Sequence, residues 1–383
     1  MFQTSTVAGI HRRVPRDHAV SRAERRSARA GQFALVGALV LSGCSGGKST
    51  APGVSGSRGT AAASAAPTVS AGPTLILRTV RIALDGTPTA PGRLLARIRI
   101  GSAIDELGLL PTQHDLNPLL PSAFVMDRSG LWVLDPVKHR IARFDLTGHY
   151  LGQVSGVSDI ADDIAPLPDG RLLVSDDPSD RTRLRVLTPG PNRGLPATLS
   201  GPIDISHEDR DGQIDAMFRL AWAQGVTGVW MGSGFFPLSP TFAVQRDVEG
   251  LPLPTGGLLR VSTANNVDWT FTDGGVEWNV TFTSGKDPNI VAVVISLQQT
   301  SDALYLWTMH GPASPTPRAQ WDLSPRVLVV LPRNGPPRTV AVHDSNANLE
   351  DSNLHRNFNV TPDGRVIQMV VSTKDVLFRK VPN

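Results

Sequence analysis

The chain has 383 residues, 37 Lys and Arg against 34 Asp and Glu, a single cysteine, and 40% hydrophobic residues but only 5% aromatic ones. That length buries a substantial core, either as two domains or as one large all-β domain. One cysteine excludes a disulfide framework and a Cys-rich zinc site, and 19% charged residues without long like-charge blocks exclude an intrinsically disordered chain.

The formal charge of +3 would suit a nucleic-acid partner if it were spread over the fold. It is not. Seven of the 37 basic residues and two of the 34 acidic ones fall within residues 1–43, leaving 30 basic against 32 acidic in the remainder. A nucleic-acid partner is therefore not expected. The apolar run from Phe33 to Leu41 is too short to cross ~30 Å of hydrocarbon and reads as the h-region of a signal peptide. It ends in Leu41-Ser42-Gly43-Cys44, which resembles the lipobox of bacterial lipoproteins. The resemblance implies cleavage before Cys44 and alkylation of its thiolate, a soft nucleophile, by a diacylglyceryl group. Two or three acyl chains, at ~0.8 kcal/mol per buried CH₂, then hold the protein on the outer face of the cell membrane. Arg25-Arg26 is not followed by the apolar residues of a twin-arginine signal, which favours general secretion.

Residues 44–73 are almost entirely Ser, Gly, Ala, Thr, Pro and Val, a composition that cannot form a core. They read as a flexible tether reaching roughly 30 Å on average. From residue 74 to residue 383 the apolar pattern alternates over short runs bounded by Gly, Pro, Asp and Asn, which predicts an all-β domain. Segments 123–135, 164–176 and 358–370 superimpose as strand, tight turn with Gly, and strand. The Ser-Gly or Asp-Gly step in each supplies the residue a hairpin needs at positive φ.

Residues 138–154 add two further strands around Thr147-Gly148, so four strands occupy one repeat. Asp127, Gly130, Asp135, Arg140, Ile141, Phe144, Asp145 and Gly148 match the blade pattern of NHL-type β-propellers and their six-bladed relatives, with Lys138 where that family has Asn. The resemblance implies a β-propeller of four-stranded antiparallel blades. Spacing between Gly130, Gly170, Gly274 and Gly364 predicts six blades, or five if the Gly274 hairpin is only the outer half of one. Val226–Met231 marks blade three, the Gly274 hairpin blade four, and strands near 290–296 and 303–308 blade five. Because the last blade runs out after three strands, an N-terminal strand near 75–84 is expected to complete it and close the ring.

Several constellations invite chemistry. Asp209, Asp211 and Asp215 surround Gly212 as alternating oxygen ligands do in a calcium loop, although Phe218 stands where a bidentate Glu is usual. Residues 344–351 also alternate oxygen-bearing side chains but lack a turn glycine, and His343 and His355 flank them. Asp135 with Arg140 reads as a stitch between neighbouring strands, and the Asp162-Asp163 pair invites a functional reading. The seven tryptophans fall mostly at strand positions and read as core between blades. There is no His-Glu-x-x-His motif, and the one cysteine is taken by the lipobox. The sequence therefore predicts a lipid-anchored, monomeric, extracytoplasmic propeller that binds an envelope protein or a wall polymer. The competing expectation is a propeller hydrolase, similar to lactonases or strictosidine-synthase-like enzymes, with a divalent cation such as Ca²⁺ in its channel. It would need ligands converging from several blades.

Overall fold

In the computed structural model the described residues are 76–382, apart from 86–91, 112–118, 160, 168, 177–182, 205–218, 224–225, 232–233, 240–247, 250, 253–257, 264–267, 274, 286–289, 313–325, 343–356 and 362. Two strands, β1 (Ile76–Ala83) and β2 (Arg93–Arg99), precede the first blade. Blade one is then β3 (Ala123–Asp127), β4 (Gly130–Asp135), β5 (Arg140–Phe144) and β6 (Tyr150–Ser155). Blade two is β7 (Asp163–Pro166), β8 (Leu172–Ser175), β9 (Arg183–Gly190) and β10 (Gly194–Leu199), with the short β11 (Ile203–Asp204) also pairing with β9. Blade three is β12 (Arg219–Ala223), β13 (Val226–Met231), β14 (Gly234–Pro237) and β15 (Val248–Glu249). Blade four comprises β16 (Leu251–Pro252), β17 (Leu258–Thr263), β18 (Asp268–Asp273) and β19 (Val276–Thr283). Blade five follows with β20 (Ile290–Gln299), β21 (Ala303–Pro312), β22 (Arg326–Pro332) and β23 (Arg338–Val342). The last three strands, β24 (Phe358–Val360), β25 (Val366–Val371) and β26 (Asp375–Lys380), pair outward to β2.

The first strands of successive blades touch: β3 meets β7, β7 meets β12, β12 meets β16, β20 meets β24, and β24 returns to β3. The chain is a six-bladed β-propeller. Its blade assignments agree with those read from glycine spacing. The closing strand does not. β2 pairs antiparallel with β26 and fills the fourth place of blade six, from Arg93↔Lys380 to Arg99↔Asp375. The expected closing segment, β1, instead lies parallel along β19 as a fifth strand of blade four, from Ile76↔Val276 to Ala83↔Thr283.

Every blade except the last is a meander entered at its inner strand, so its connections fall into two sets. Connections between blades, and turns from second to third strand, lie at one end of the ring, here the linker end. Turns from first to second and from third to fourth strand lie at the other, the hairpin end. β1 and β2 both begin at the hairpin end, because they run with β19 and against β26 respectively.

Burial follows from this geometry. β4 has all six residues buried because a blade packs on each of its faces, so Leu131–Leu134 form a continuous apolar run before Asp135. β19, the fourth strand of blade four with β1 beyond it, alternates Val276, Trp278, Val280 and Phe282, buried in the cluster shared with blade five, with half-buried polar residues on its other face. Hydrophobic clusters fill the gaps between blades one and two, two and three, four and five, five and six, and six and one. Phe124 meets Phe378 edge-on at 5.1 Å where the ring closes, and Trp307 stacks on Phe358 at 5.3 Å between blades five and six. Each such pair adds about 1 kcal/mol to simple area burial. The glycine-turn reading holds at Gly364, which sits at φ 77° with Tyr305 Oη 2.9 Å from where a Cβ would be.

Candidate functional site

The first set of buried polar groups lies where the second and third strands of a blade meet the segment entering it. In blade one, β4 ends in Asp135 and β5 begins with Arg140, joined by a single 3₁₀ turn at Pro136–Lys138. Both side chains are buried, and Arg140 Nε donates to Asp135 Oδ2 at 3.0 Å. Asp135 also receives the Gly108 N–H at 3.2 Å, while Arg140 donates to the carbonyl of Ile104 and to Gln153 Oε1, both at 2.6 Å. Arg140 further donates to the Glu106 carbonyl. Lys138 Nζ joins in, donating to the carbonyls of Ala103 and Glu106 at 2.6 Å. Burial pushes the Asp135 carboxyl up from its ordinary range, and the Arg140 charge and the Gly108 N–H offset this only in part. Burial and the nearby Arg140 charge push the Lys138 ammonium down.

Blade two repeats the device. Asp176, just after β8, receives the Ser158 N–H of its own entering segment at 2.6 Å and pairs with Arg185 Nε. The sequence pattern missed this pair because residues 177–182 separate the two strands and break the blade-one spacing. An Asp closing a second strand, followed by an Arg on the third, is the signal that connects both copies. In each, a carboxylate clamps the incoming linker to its blade.

A second set of bonds stitches the inner strands of neighbouring blades. Asp163 of β7, fully buried, accepts the N–H of Leu220 on β12 at 2.9 Å and that of Ile164 at 2.8 Å. Gln298 of β20 reaches across to β24, donating to the Phe358 carbonyl at 2.9 Å and accepting the Val360 N–H at 2.8 Å. Ser122 Oγ donates to the Ala161 carbonyl at 3.2 Å. These side chains satisfy strand-edge groups that face no fourth neighbour in the sheet. Sequence reasoning did not single out Gln298, although a Gln pair ending the apolar run of β20 marks it.

At the hairpin end, buried Arg143 lies over the Trp132 ring at 4.6 Å and pairs with Asp127 at 2.8 Å. Partial burial raises the Asp127 carboxyl, but the Arg143 hydrogen bond and charge outweigh it and leave it below its ordinary value. Asp145 is held at about 2: burial alone would raise it, but the Thr147 hydroxyl and the N–H groups of His149 and Thr147 prevail.

The structure thus gives Asp135, Arg140 and Asp163 structural partners. Asp209, Asp211 and Asp215, the candidate calcium ligands, lie outside the described residues, as do Cys44, His343, residues 344–351 and His355. Among the described residues no group of three or more His, Cys, Asp or Glu side chains is placed to hold a metal ion, and no helix is long and apolar enough to cross a membrane. Trp132, Trp278 and Trp307 are buried between blades as expected.

No known protein family matches the sequence, and no curated protein does. Similar solved structures exist. One is a putative exported protein from Bacteroides fragilis, 7% identical, covering 80% of this chain and 100% of its own, with a TM-score of 0.42. Another is the Dos1 propeller, 8% identical over 76% of this chain and 93% of its own at a TM-score of 0.30. A third is a gluconolactonase from Xanthomonas campestris, 9% identical over 76% and 88% of the two chains at 0.28. The propeller assignment rests on this chain's own strand order.

Proposed function

We propose that this protein is a lipid-anchored, extracytoplasmic β-propeller that binds a protein or polymer of the cell envelope and acts as a scaffold there. The observation that carries the reading is the order of segments: an apolar leader run, Leu41-Ser42-Gly43-Cys44, a tether of small residues, and then the ring starting at Ile76. A thioether-linked diacylglyceryl group on Cys44 fixes the protein to the outer face of the membrane. The tether gives it roughly 30 Å of reach.

The test has two arms. Labelled palmitate should enter the wild-type protein and not the Cys44→Ala variant, which should leave the membrane fraction. Cross-linking in intact cells followed by purification should recover an envelope partner from the anchored protein. Palmitate in neither form, with unchanged membrane retention, would refute the anchor. The calcium reading of Asp209, Asp211 and Asp215 is separated by calorimetry: heat on adding calcium that is lost in Asp211→Asn would move the assignment toward the cation-dependent hydrolase.

A further inference from the structure

We propose that the hairpin end of the ring is a docking surface for an anionic phospholipid membrane, so that the anchored propeller lies with this end on the lipid and its linker end outward. The proposal rests on the lipid-anchored reading for its setting but on different observations for its evidence.

The first observation is where the chain enters. β1 runs parallel to β19 with Ile76 opposite Val276, so the segment from Cys44 reaches the ring at the hairpin end. The second is apolar exposure. Of the six exposed large hydrophobic residues among the described residues, Ile76, Leu77, Leu94 and Leu146 lie at this end, in the first residues of β1 and β2 and in the β5–β6 turn. The other two, Ile104 and Leu110, belong to the segment between β2 and β3 at the opposite end.

The third observation is charge. Arg93, Arg128, Arg193 and Arg338 are exposed at the hairpin end, at strand starts or in turns. Most of the carboxylates there are engaged by a cation or by turn donors, Asp127 by Arg143, Asp145 by Thr147 and His149, Asp169 by Arg171 and Asp363 by Arg365, while Glu277, opposite Leu77, accepts the Thr272 hydroxyl at 3.4 Å. Asp302 accepts the Ser301 hydroxyl. The linker end carries Asp105, Glu106, Asp159, Asp162, Asp176 and Asp375, of which Asp176 pairs with Arg185, Asp375 with Arg97 and Glu106 with Arg99, and its exposed cations include Arg97, Arg99 and Lys374. A fold that is nearly neutral overall therefore presents guanidinium groups interleaved with aliphatic side chains on the end its anchor enters. Arginine heads pair with phosphodiester groups while Ile and Leu enter the interface, the combination that anionic bilayers bind. Each arginine near such a surface strengthens binding about five-fold.

The experiment uses the full chain isolated from membranes and reconstituted into vesicles, with one cysteine introduced as Asn334→Cys at the hairpin end or Thr373→Cys at the linker end, both exposed positions. A fluorophore on that cysteine is quenched by headgroup spin labels. In phosphatidylcholine vesicles containing phosphatidylglycerol, the position 334 probe should be quenched several times more than the position 373 probe, and high salt should remove the difference. In phosphatidylcholine alone the two should be alike. The variant Arg93→Gln/Arg128→Gln/Arg338→Gln should lower docking about a hundred-fold, and Arg99→Gln/Arg183→Gln/Lys374→Gln at the other end should leave it unchanged. Equal quenching at both ends in anionic vesicles, or an equal loss in the two triple variants, would overturn the proposal. Should the first triple variant fail to fold, the salt and lipid-charge arms of the parent chain decide. Palmitate labelling of the same preparation reports the anchor separately, so loss of the anchor and loss of the docking surface give different results.

Discussion

Replacing Arg140 by Met tests the claim that the Asp135 clamp holds the entering segment on blade one. Arg140 is 2% exposed and Asp135 is fully buried. The substitution keeps much of the aliphatic volume but leaves a buried carboxylate without its cation, and deprives Ile104 O and Gln153 Oε1 of their 2.6 Å donors. Breaking a buried pair from one side costs about 3–5 kcal/mol, a large share of the ~5–15 kcal/mol that stabilises a domain. The sign of the pH dependence follows. Burial already holds the Asp135 carboxyl above its ordinary value, and without Arg140 it rises further. The penalty for ionised Asp135 is then full above that raised folded pKa and disappears as pH falls below the unfolded value of about 3.9. Denaturant unfolding should therefore show a cost of several kcal/mol at neutral pH that shrinks on acidification, and hydrogen exchange should accelerate in residues 101–110. Asp135→Asn with Arg140→Met should cost less than the two single changes together, by about 1–3 kcal/mol. A pH-independent cost below ~1 kcal/mol, or strict additivity, would refute the clamp.

Three further outcomes are expected. Gln298→Leu leaves the Phe358 carbonyl and the Val360 N–H without partners at the contact of blades five and six, and should cost about 2–4 kcal/mol in denaturant unfolding; a loss under ~0.5 kcal/mol would show that the stitch is dispensable. Asp145→Asn should remove stability that the wild type holds above pH ~4 and loses as pH falls toward about 2. The shift corresponds to ~2 kcal/mol, which solvent screening of this partly exposed carboxylate reduces to about 1, so the variant's stability should be flatter between these pH values. A chain starting at Gly92 loses β1 but keeps every blade four-stranded, and should unfold cooperatively at a lower temperature; one starting at Gly101 lacks β2, opens blade six and should aggregate. Similar behaviour of the two truncations would mean that β2 does not close the ring.

Much of this fold was legible because blades repeat. Alternation, Asp-Gly turns and even spacing are local signals, and they place Val226–Met231 and the Gly274 hairpin in the third and fourth blades, as the strand order does. The N-terminal assignment went astray for a physical reason. Residues 76–83 and 93–99 both alternate apolar and polar side chains, and alternation specifies which face is covered, not which free edge a strand will join. Parallel addition of β1 to β19 has no turn to announce it, since its partner lies some two hundred residues away.

The same reasoning separates the motif from the ligand. Asp135 and Arg140 belong to the pattern that resembles NHL-type blades, and both are consumed in holding strands and linker together. Asp176 and Arg185 do the same where the pattern fades, and Asp163 and Gln298 serve the inner ring with no pattern at all. A blade must satisfy the backbone groups at its inner edge and hold its incoming linker wherever it stands in the ring. Residues that meet those needs recur with the repeat and reveal architecture. Recognition has no reason to recur from blade to blade, because a ligand approaches one end of a closed ring and meets each blade differently. The exposed arginines of the hairpin end show both cases: Arg93 and Arg338 each open the fourth strand of a blade, whereas Arg128 lies in a first-to-second turn and Arg193 in a third-to-fourth turn, and all four share one end only when the ring is closed.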